Sequence, residues 1–314
     1  MSRVRVVFLG TPDFAVNCLR GVLDDDHFEV VGVVTQPDRP SGRKMLLTPS
    51  PVKSFAQARE LRVISPESVN KEVILQEVQK WSAEVAIVVA FGQIVSQKFL
   101  DSFQFGCVNV HASLLPRWRG AAPIQRAIEA GDELTGVALQ KMVKELDAGD
   151  VLGLRQIPVT SNMNAQELHD QLAILGTDLL KIELMDYVRG NLAPSAQDKN
   201  HITYAKKIEK TEAEIKWTDS AKHLHNRIRA FVMGPGTWVP FQGKKLKIHR
   251  TEIASLSTST HAPGEIVELG ADFLTVATGA GSLKIFEVQP ESRNRMSVMD
   301  FLKGHNLKKG DLLV

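Results

Sequence analysis

The stretch Val4-Arg5-Val6-Val7-Phe8-Leu9-Gly10-Thr11-Pro12-Asp13-Phe14 decides the fold class. Val4–Leu9 is a short, mostly apolar run of strand length, and Gly10 suits a tight turn into a helical stretch, Phe14–Leu23. The same alternation continues outward. Val30–Thr35, Val85–Ala90 and Val108–His111 read as buried strands, and Pro51–Leu61, Glu67–Trp81 and Pro123–Ala130 as helices. Val137–Met142 and Val151–Ile157 form a further strand pair, and Ala165–Tyr187 is a long amphipathic helix. Continuous Val, Ile and Leu runs between helices point to an α/β domain, its mainly parallel sheet covered on both faces. Ligands of such sheets bind outside the carboxyl ends of the strands, so functional residues should follow strands.

The pattern changes after Gly190–Ile202, a polar segment with Asn191, Pro194, Ser195 and Asn200 that reads as a linker. Ser220–Phe231 looks helical. Strand-like runs follow at Thr237–Phe241, Leu246–Thr251, Glu265–Leu269, Leu274–Ala277 and Leu283–Val288, broken by turns such as Gly243 and Gly279–Gly281. Short strands at this spacing predict a small β-barrel or sandwich. The expected organisation is a catalytic domain at 1–190, a linker at 191–203 and a C-terminal β-barrel at 204–314. A length of 314 residues agrees with two domains.

Composition narrows the function classes. With 43% hydrophobic and 24% charged residues the chain has the balance of a globular protein. No apolar run approaches the roughly 18 residues a membrane helix needs, and the N-terminus lacks a signal-peptide layout. Cys18 and Cys107 supply neither a disulfide framework nor metal-ligand spacing, so a cytoplasmic protein without a metal is expected. Nothing calls for an obligate oligomer, and a monomer is expected. Residues 204–314 carry 17 Lys and Arg against 12 Asp and Glu, whereas 1–203 carry 21 against 24. A basic C-terminal part beside a mildly acidic N-terminal part points to a polyanionic partner for the former.

Gly10-Thr11-Pro12-Asp13-Phe14 occupies the place of a dinucleotide fingerprint but lacks G-x-G-x-x-G, which disfavours a nicotinamide or flavin cofactor. The stronger constellation is Asn109-Val110-His111-Ala112-Ser113. Residues two apart on a strand face the same side, so an amide donor and an imidazole share one strand's carboxyl end. That pair suits acyl transfer, which needs donors aimed at an oxyanion and a group that handles a proton near neutral pH. Leu114-Leu115-Pro116-Arg117-Trp118-Arg119-Gly120 follows as an unusually elaborate loop. Glu145-Leu146-Asp147-Ala148-Gly149-Asp150 offers three carboxylates, any of which could face His111. A third segment, Asp38–Lys44, is a Pro- and Gly-marked loop whose cations Arg39, Arg43 and Lys44 could meet phosphates or the end of a single-stranded acceptor stem.

Asn109-x-His111, Ser113–Pro116, Arg119-Gly120 and Leu146-Asp147-x-Gly149-Asp150 resemble the folate-dependent formyltransferases. Within that group the chain is similar, over nearly its whole length, to the branch that acts on methionyl transfer RNA. This closer likeness rests on Gly10–Phe14, Thr35–Pro40, Gly42-Arg43, Ser50–Lys53, Ala90-Phe91-Gly92 and Arg117–Gln125.

The resemblance implies a Rossmann-like catalytic domain, a C-terminal oligonucleotide-binding-type barrel, and Asn109, His111 and Asp147 as the catalytic trio. It implies a 10-formyltetrahydrofolate site formed by Phe91, Gly92, Gln93, Ser113, Leu114, Leu115 and Pro116, with no metal. It also implies that Arg39, Arg43 and Lys44, with Lys206, Lys207, Lys210, Lys244, Lys245 and Lys247, meet the initiator transfer RNA. The expected activity is formylation of the α-amine of methionine on that RNA. Transfer to a small amine and non-catalytic RNA binding are the alternatives. The family's aromatic Asn-Pro-Trp-Pro-like run is replaced here by Val232-Met233-Gly234-Pro235-Gly236.

Overall fold

The computed structural model describes residues 3–41, 45–257 and 260–314. In chain order, the first elements are β1 Val4–Gly10, α1 Asp13–Leu23, β2 Phe28–Val34, β3 Arg39–Ser41, β4 Leu46–Thr48 and α2 Pro51–Ala58. Next come β5 Val63–Ile64, α3 Glu72–Lys80, β6 Val85–Val89, α4 Gln97–Leu100, β7 Cys107–His111 and β8 Arg119–Gly120. Then follow α5 Pro123–Ala130, β9 Leu134–Lys141, β10 Val151–Pro158, α6 Ala165–Val188 and β11 Tyr204–Ala205. The last are α7 Ala221–Ala230, β12 Thr237–Phe241, β13 Lys244–Ser255, β14 Ile266–Leu269, β15 Leu274–Ala277, β16 Ser282–Pro290, β17 Met296–Ser297 and α8 Val298–Lys303. They form two compact units: Met1–Gly120, Thr135–Ile157 and His169–Ala205 make the first, and Ala121–Leu134, Pro158–Leu168 and Lys206–Val314 the second.

The first unit is built on a seven-stranded sheet in the order β10-β9-β7-β6-β1-β2-β5. β1 pairs in parallel with β2 and β6, β6 with β7, and β2 with β5, while β7 and β9 are antiparallel. The all-apolar β6 is buried along its whole length, as a strand covered on both faces must be. From β1 the chain winds outward to β2 and β5, then returns to β6 on the other side, so the direction of winding switches at β1 and β6. Gly10 and Val89 pair at the carboxyl end of that switch point, where an open α/β sheet forms its ligand crevice. One face packs Val7, Leu9, Val34, Val78, Trp81 and Val88 into a single core.

Two differences from expectation bear on how the first unit is held. The helix expected from Glu67 begins at Glu72, because the preceding segment is held open: Val69 N donates to Gln93 Oε1 (2.8 Å) and Asn70 Nδ2 to Ile94 O (2.8 Å). In the expected linker 191–203, Ser195 exchanges backbone hydrogen bonds with Val151, and Thr203 O accepts from Arg119 N (2.9 Å). The β11–β8 pairing carries this attachment on to Ala205.

The second unit has the sheet order β12-β13-β16-β15-β14, with β17 on β16. β12 and β13 form a hairpin closed by Gln242 and Gly243, both at positive φ (50° and 75°), the geometry that matches strand twist in a two-residue turn. The twelve-residue β13 pairs with β16 through repeated register shifts, and such bulges bend and twist a sheet as a small barrel requires. Ile215, Trp217, Leu224, Ile228, Val239, Leu246, Ile285 and Phe301 fill the core. Among the described residues, no helix is long and apolar enough to cross a membrane.

Candidate active site

β7 brings Asn109 and His111 to its carboxyl end, two residues apart on one side of the strand. His111 is 6% exposed. Its Nε2 lies 2.9 Å from the carbonyl oxygen of Trp118. A carbonyl only accepts, so Nε2 carries a proton, and Nδ1 faces Asp147 Oδ2 at 3.7 Å. That distance exceeds a hydrogen bond, yet a proton gained at Nδ1 would sit directly against a carboxylate. Asn109 is half-buried, and among the described residues its carboxamide makes no protein hydrogen bond, which leaves its two donors available to an outside oxygen.

Of the three carboxylates in the 145–150 turn, Asp147 is the one that meets the imidazole. Its backbone adopts φ 47°, in the left-handed region that Asp tolerates better than most residues. The carboxylate is held on both oxygens: Gly120 N donates to Oδ2 (2.8 Å) and Gln140 Nε2 to Oδ1 (3.1 Å). Gly149 closes the turn where a Cβ would lie 1.6 Å from Lys141 O, so any larger residue would push the turn and its carboxylate away.

A second layer of polar groups fixes this turn. Gln197 Nε2 donates to the carbonyls of Asp147 (2.9 Å) and Gly149 (2.7 Å). The Oε1 of Gln197 accepts from Arg119 Nε (3.1 Å) and Nη2 (2.8 Å), and Arg119 is itself buried. Sequence reasoning missed Gln140 and Gln197. Gln140 lies across the ladder from Asn109, a relation visible only once β7 and β9 pair antiparallel. Gln197 lies in the segment read as a linker, and nothing in the surrounding residues marks it.

The residues expected to bind folate divide by role. Phe91 is buried, and its carbonyl accepts from Thr11 Oγ1 (2.9 Å) and Gln36 Nε2 (3.2 Å) at the sheet's switch point. Gln93 uses its carboxamide on Val69 N and on Pro66 O (2.9 Å), and Ser113 donates its hydroxyl to Arg117 O (2.6 Å). Both side chains are therefore spent on shaping their turns. Gly92 adopts φ 82°, Leu115 is buried, and Leu114 and Pro116 are half-buried.

Among the cations expected to meet RNA, Arg39 is exposed on the β3–β4 hairpin with its Nη2 3.3 Å from Glu67 Oε2. Arg43 and Lys44 lie outside the described residues. Lys206, Lys207 and Lys210 are exposed, as are Lys244 and Lys245, and Lys247 is half-buried. Lys245 Nζ sits 4.3 Å from the ring centre of Trp238, a cation–π contact. The two cysteines are buried, and burial pushes the Cys18 thiol up to about 12 and raises Cys107 as well, so neither is an activated nucleophile. Among the described residues, no group of three His, Cys, Asp or Glu could hold a metal ion.

The formyl transferase family matches residues 3–182, and its C-terminal domain matches residues 207–306. A methionyl-tRNA formyltransferase of Bdellovibrio bacteriovorus is 63% identical over 316 residues, covering 100% of this chain and 99% of its own length. A protein of the same name from Neisseria meningitidis serogroup C is 44% identical over 312 residues, covering 99% of this chain and 100% of the relative. Among solved structures, the N-formyltransferase of Helicobacter canadensis, in complex with folinic acid and dTDP-3-aminofucose, superposes with a TM-score of 0.66 at 18% identity, covering 91% of this chain and 99% of that one. HypX of Aquifex aeolicus, in complex with tetrahydrofolic acid, has a TM-score of 0.63 at 18% identity, and this chain spans 51% of its length while being covered in full. These two distant likenesses concern the fold alone. By its own sequence, matched from end to end, the chain belongs to the formyl transferase family.

Proposed function

We propose that this protein transfers the formyl group of a folate carrier, 10-formyltetrahydrofolate, to the free α-amine of methionine esterified to its initiator transfer RNA, acting in the cytoplasm as a monomer. Full-length similarity to relatives named for that reaction favours this acceptor over a small amine. The observation that carries the chemistry is the grouping of Asn109, His111 and Asp147 at one strand end, with the imidazole 3.7 Å from a carboxylate held by two donors.

The methionyl amine attacks the formyl carbon, forming the new N–C bond while the carbonyl oxygen gains negative charge. Asn109 Nδ2 and a proton held at Nδ1 of His111 stabilise that oxygen in a recessed site, where fixed donors act more strongly than in water. Asp147 takes the proton lost by the attacking nitrogen and returns it to the departing nitrogen of the carrier as the old C–N bond breaks. The products are the formylated ester and the deformylated carrier, so no covalent enzyme intermediate is needed. The backbone around Phe91–Gln93 and Ser113–Pro116 would receive the carrier. The lysines at 206, 207, 210, 244, 245 and 247, with Arg39, Arg43 and Lys44, would meet RNA phosphates.

The test is formyl transfer to charged initiator transfer RNA, with glycinamide ribonucleotide as a parallel acceptor. Product on the RNA alone is expected. Asn109→Ala, His111→Ala and Asp147→Ala should each lower kcat by about 10²-fold or more, with RNA affinity preserved. Wild-type turnover by any of them would remove that residue from the mechanism.

A further inference from the structure

The second unit contains a cavity of about 330 Å³ that the chemistry above does not use. It is lined by His225, Ile228 and Arg229 of α7, by His249, Arg250 and Thr251 of β13, by Arg295, by Val232, and by Asn162, Asn164 and Gln166 at the start of α6. Three arginines and two histidines thus share one cavity whose lining, among the described residues, contains no Asp or Glu.

Each element delivers its residues for a local reason. His225 and Arg229 are four apart on α7 and therefore face the same way. On a regular strand, His249, Arg250 and Thr251 would alternate between two faces. β13 shifts register between Ile248 and Arg250 and again between Arg250 and Thr251, and these bulges let all three line one hollow. The 24-residue helix α6 begins here, and its N-terminal end adds partial positive charge.

Arg229 is the most informative member. It is 7% exposed, and among the described residues its guanidinium is hydrogen-bonded to neutral groups and joins no ion pair. Nη1 donates to Thr160 O (3.1 Å) and Met163 O (2.6 Å), while Nε and Nη2 both donate to Asn226 Oδ1 (3.1 and 2.9 Å). Burial draws its pKa down to about 10, which still leaves it charged at neutral pH. A buried cation without a counter-charge is costly, and an anion entering the cavity would relieve that cost. The surrounding groups act in the same sense. His225, bonded to Thr251 Oγ1 (3.0 Å) and Ser161 O (2.9 Å), is pushed below the usual histidine range by burial and further by Arg229. His249 is lowered by burial and then by Arg295 and Lys247. The opposing carboxylates lie outside the lining: Glu252 acts on His225, and Glu287 is bonded to Arg295.

We propose that this cavity is a phosphate-binding site, built to take a phosphoryl group against Arg229, Arg250 and Arg295. The group comes either from a small free anion or from the backbone of a bound RNA. The site is independent of formyl transfer, so its test needs no turnover. Imidazole proton resonances of His225 and His249 would be titrated by NMR with inorganic phosphate, with sodium chloride at matched ionic strength as control. A short RNA duplex would be the second probe.

Saturable shifts with both pKa values rising are expected, because an anion favours the imidazolium form. Arg229→Gln should abolish them. Since Arg229 also bonds backbone, Arg250→Gln, at an exposed position, serves as a second variant and should weaken binding about tenfold. Response to phosphate identifies a free-anion site, and response to RNA alone identifies a backbone-phosphate site. Shifts that merely track ionic strength with both probes, or unchanged affinity in Arg250→Gln, would overturn the proposal.

Discussion

Asp147 shows how much a single carboxylate depends on its supports. Its left-handed backbone, the donors from Gly120 and Gln140, and the tight approach of Gly149 to Lys141 all aim it at His111. Gln197 ties the turn's carbonyls to Arg119, and so acts on the carboxylate through the backbone. Gln197→Ala leaves a buried guanidinium without its acceptor and frees the turn, so kcat should fall about 10- to 100-fold, the usual effect of removing an outer positioning group. Steady-state kinetics check this, and an unchanged kcat would show that the turn holds itself. The Asn109-x-His111 pair was legible in the sequence, because a strand's period of two is a local property. The choice of Asp147 from three acidic residues was not legible, because it depends on how a turn folds back over residues 27 positions away.

At the scale of elements, α5 and α7 are joined within the second unit by a compact ion network. Arg126 meets Glu129 (2.6 Å) and grips Glu212 with both terminal nitrogens (2.8 and 3.0 Å), and Arg227 meets Glu129 from α7 (2.9 Å). Glu129 is largely buried between the two arginines, with its side chain 11% exposed. Glu129→Ala would leave both cations short of a partner and should destabilise the chain by about 2 kcal/mol, read from urea unfolding. The Arg126 hydrogen bond holds Glu212 below the usual carboxylate range. A carboxyl depressed on folding contributes stability above its unfolded pKa of about 4.3 and loses it as pH falls through the folded value. Stability should therefore drop in acid below about pH 4.5, and Glu212→Gln should flatten that drop. The matching rise for Arg126 lies above any working pH and adds no slope there. The helices α5 and α7 were legible from their amphipathic patterns. Their partnership was not, because the chain between them passes through the first unit.

Over the whole molecule, charge is divided by sequence region, with the surplus of Lys and Arg beyond residue 204. Lys206 and Lys207 are exposed while their carbonyls accept from Arg126 (3.2 and 3.3 Å), so the backbone beneath these two cations is anchored. Replacing both with Gln should lower the slope of log K against log salt by about 0.7–0.9 per lysine lost from a phosphate contact. Turnover at saturating RNA should stay near wild type. Binding isotherms across a salt series provide the check, and an unchanged slope would place these lysines off the RNA.

Sequence by itself determined the alternation of buried strands and helices, the change to a strand-rich pattern after residue 204, and the strand end where an amide and an imidazole meet. Each of these rests on periodicity or on neighbours a few residues apart, which a linear reading can see. Only the tertiary structure decided that Asp147 meets His111, that Gln140 and Gln197 hold it there, and that α7, a bulged β13 and Arg295 bring three arginines to a common hollow. Those arrangements arise from ladders and hydrogen bonds between residues tens of positions apart. Which polar groups end up buried together is set by the packing of whole elements, not by the composition of any one of them.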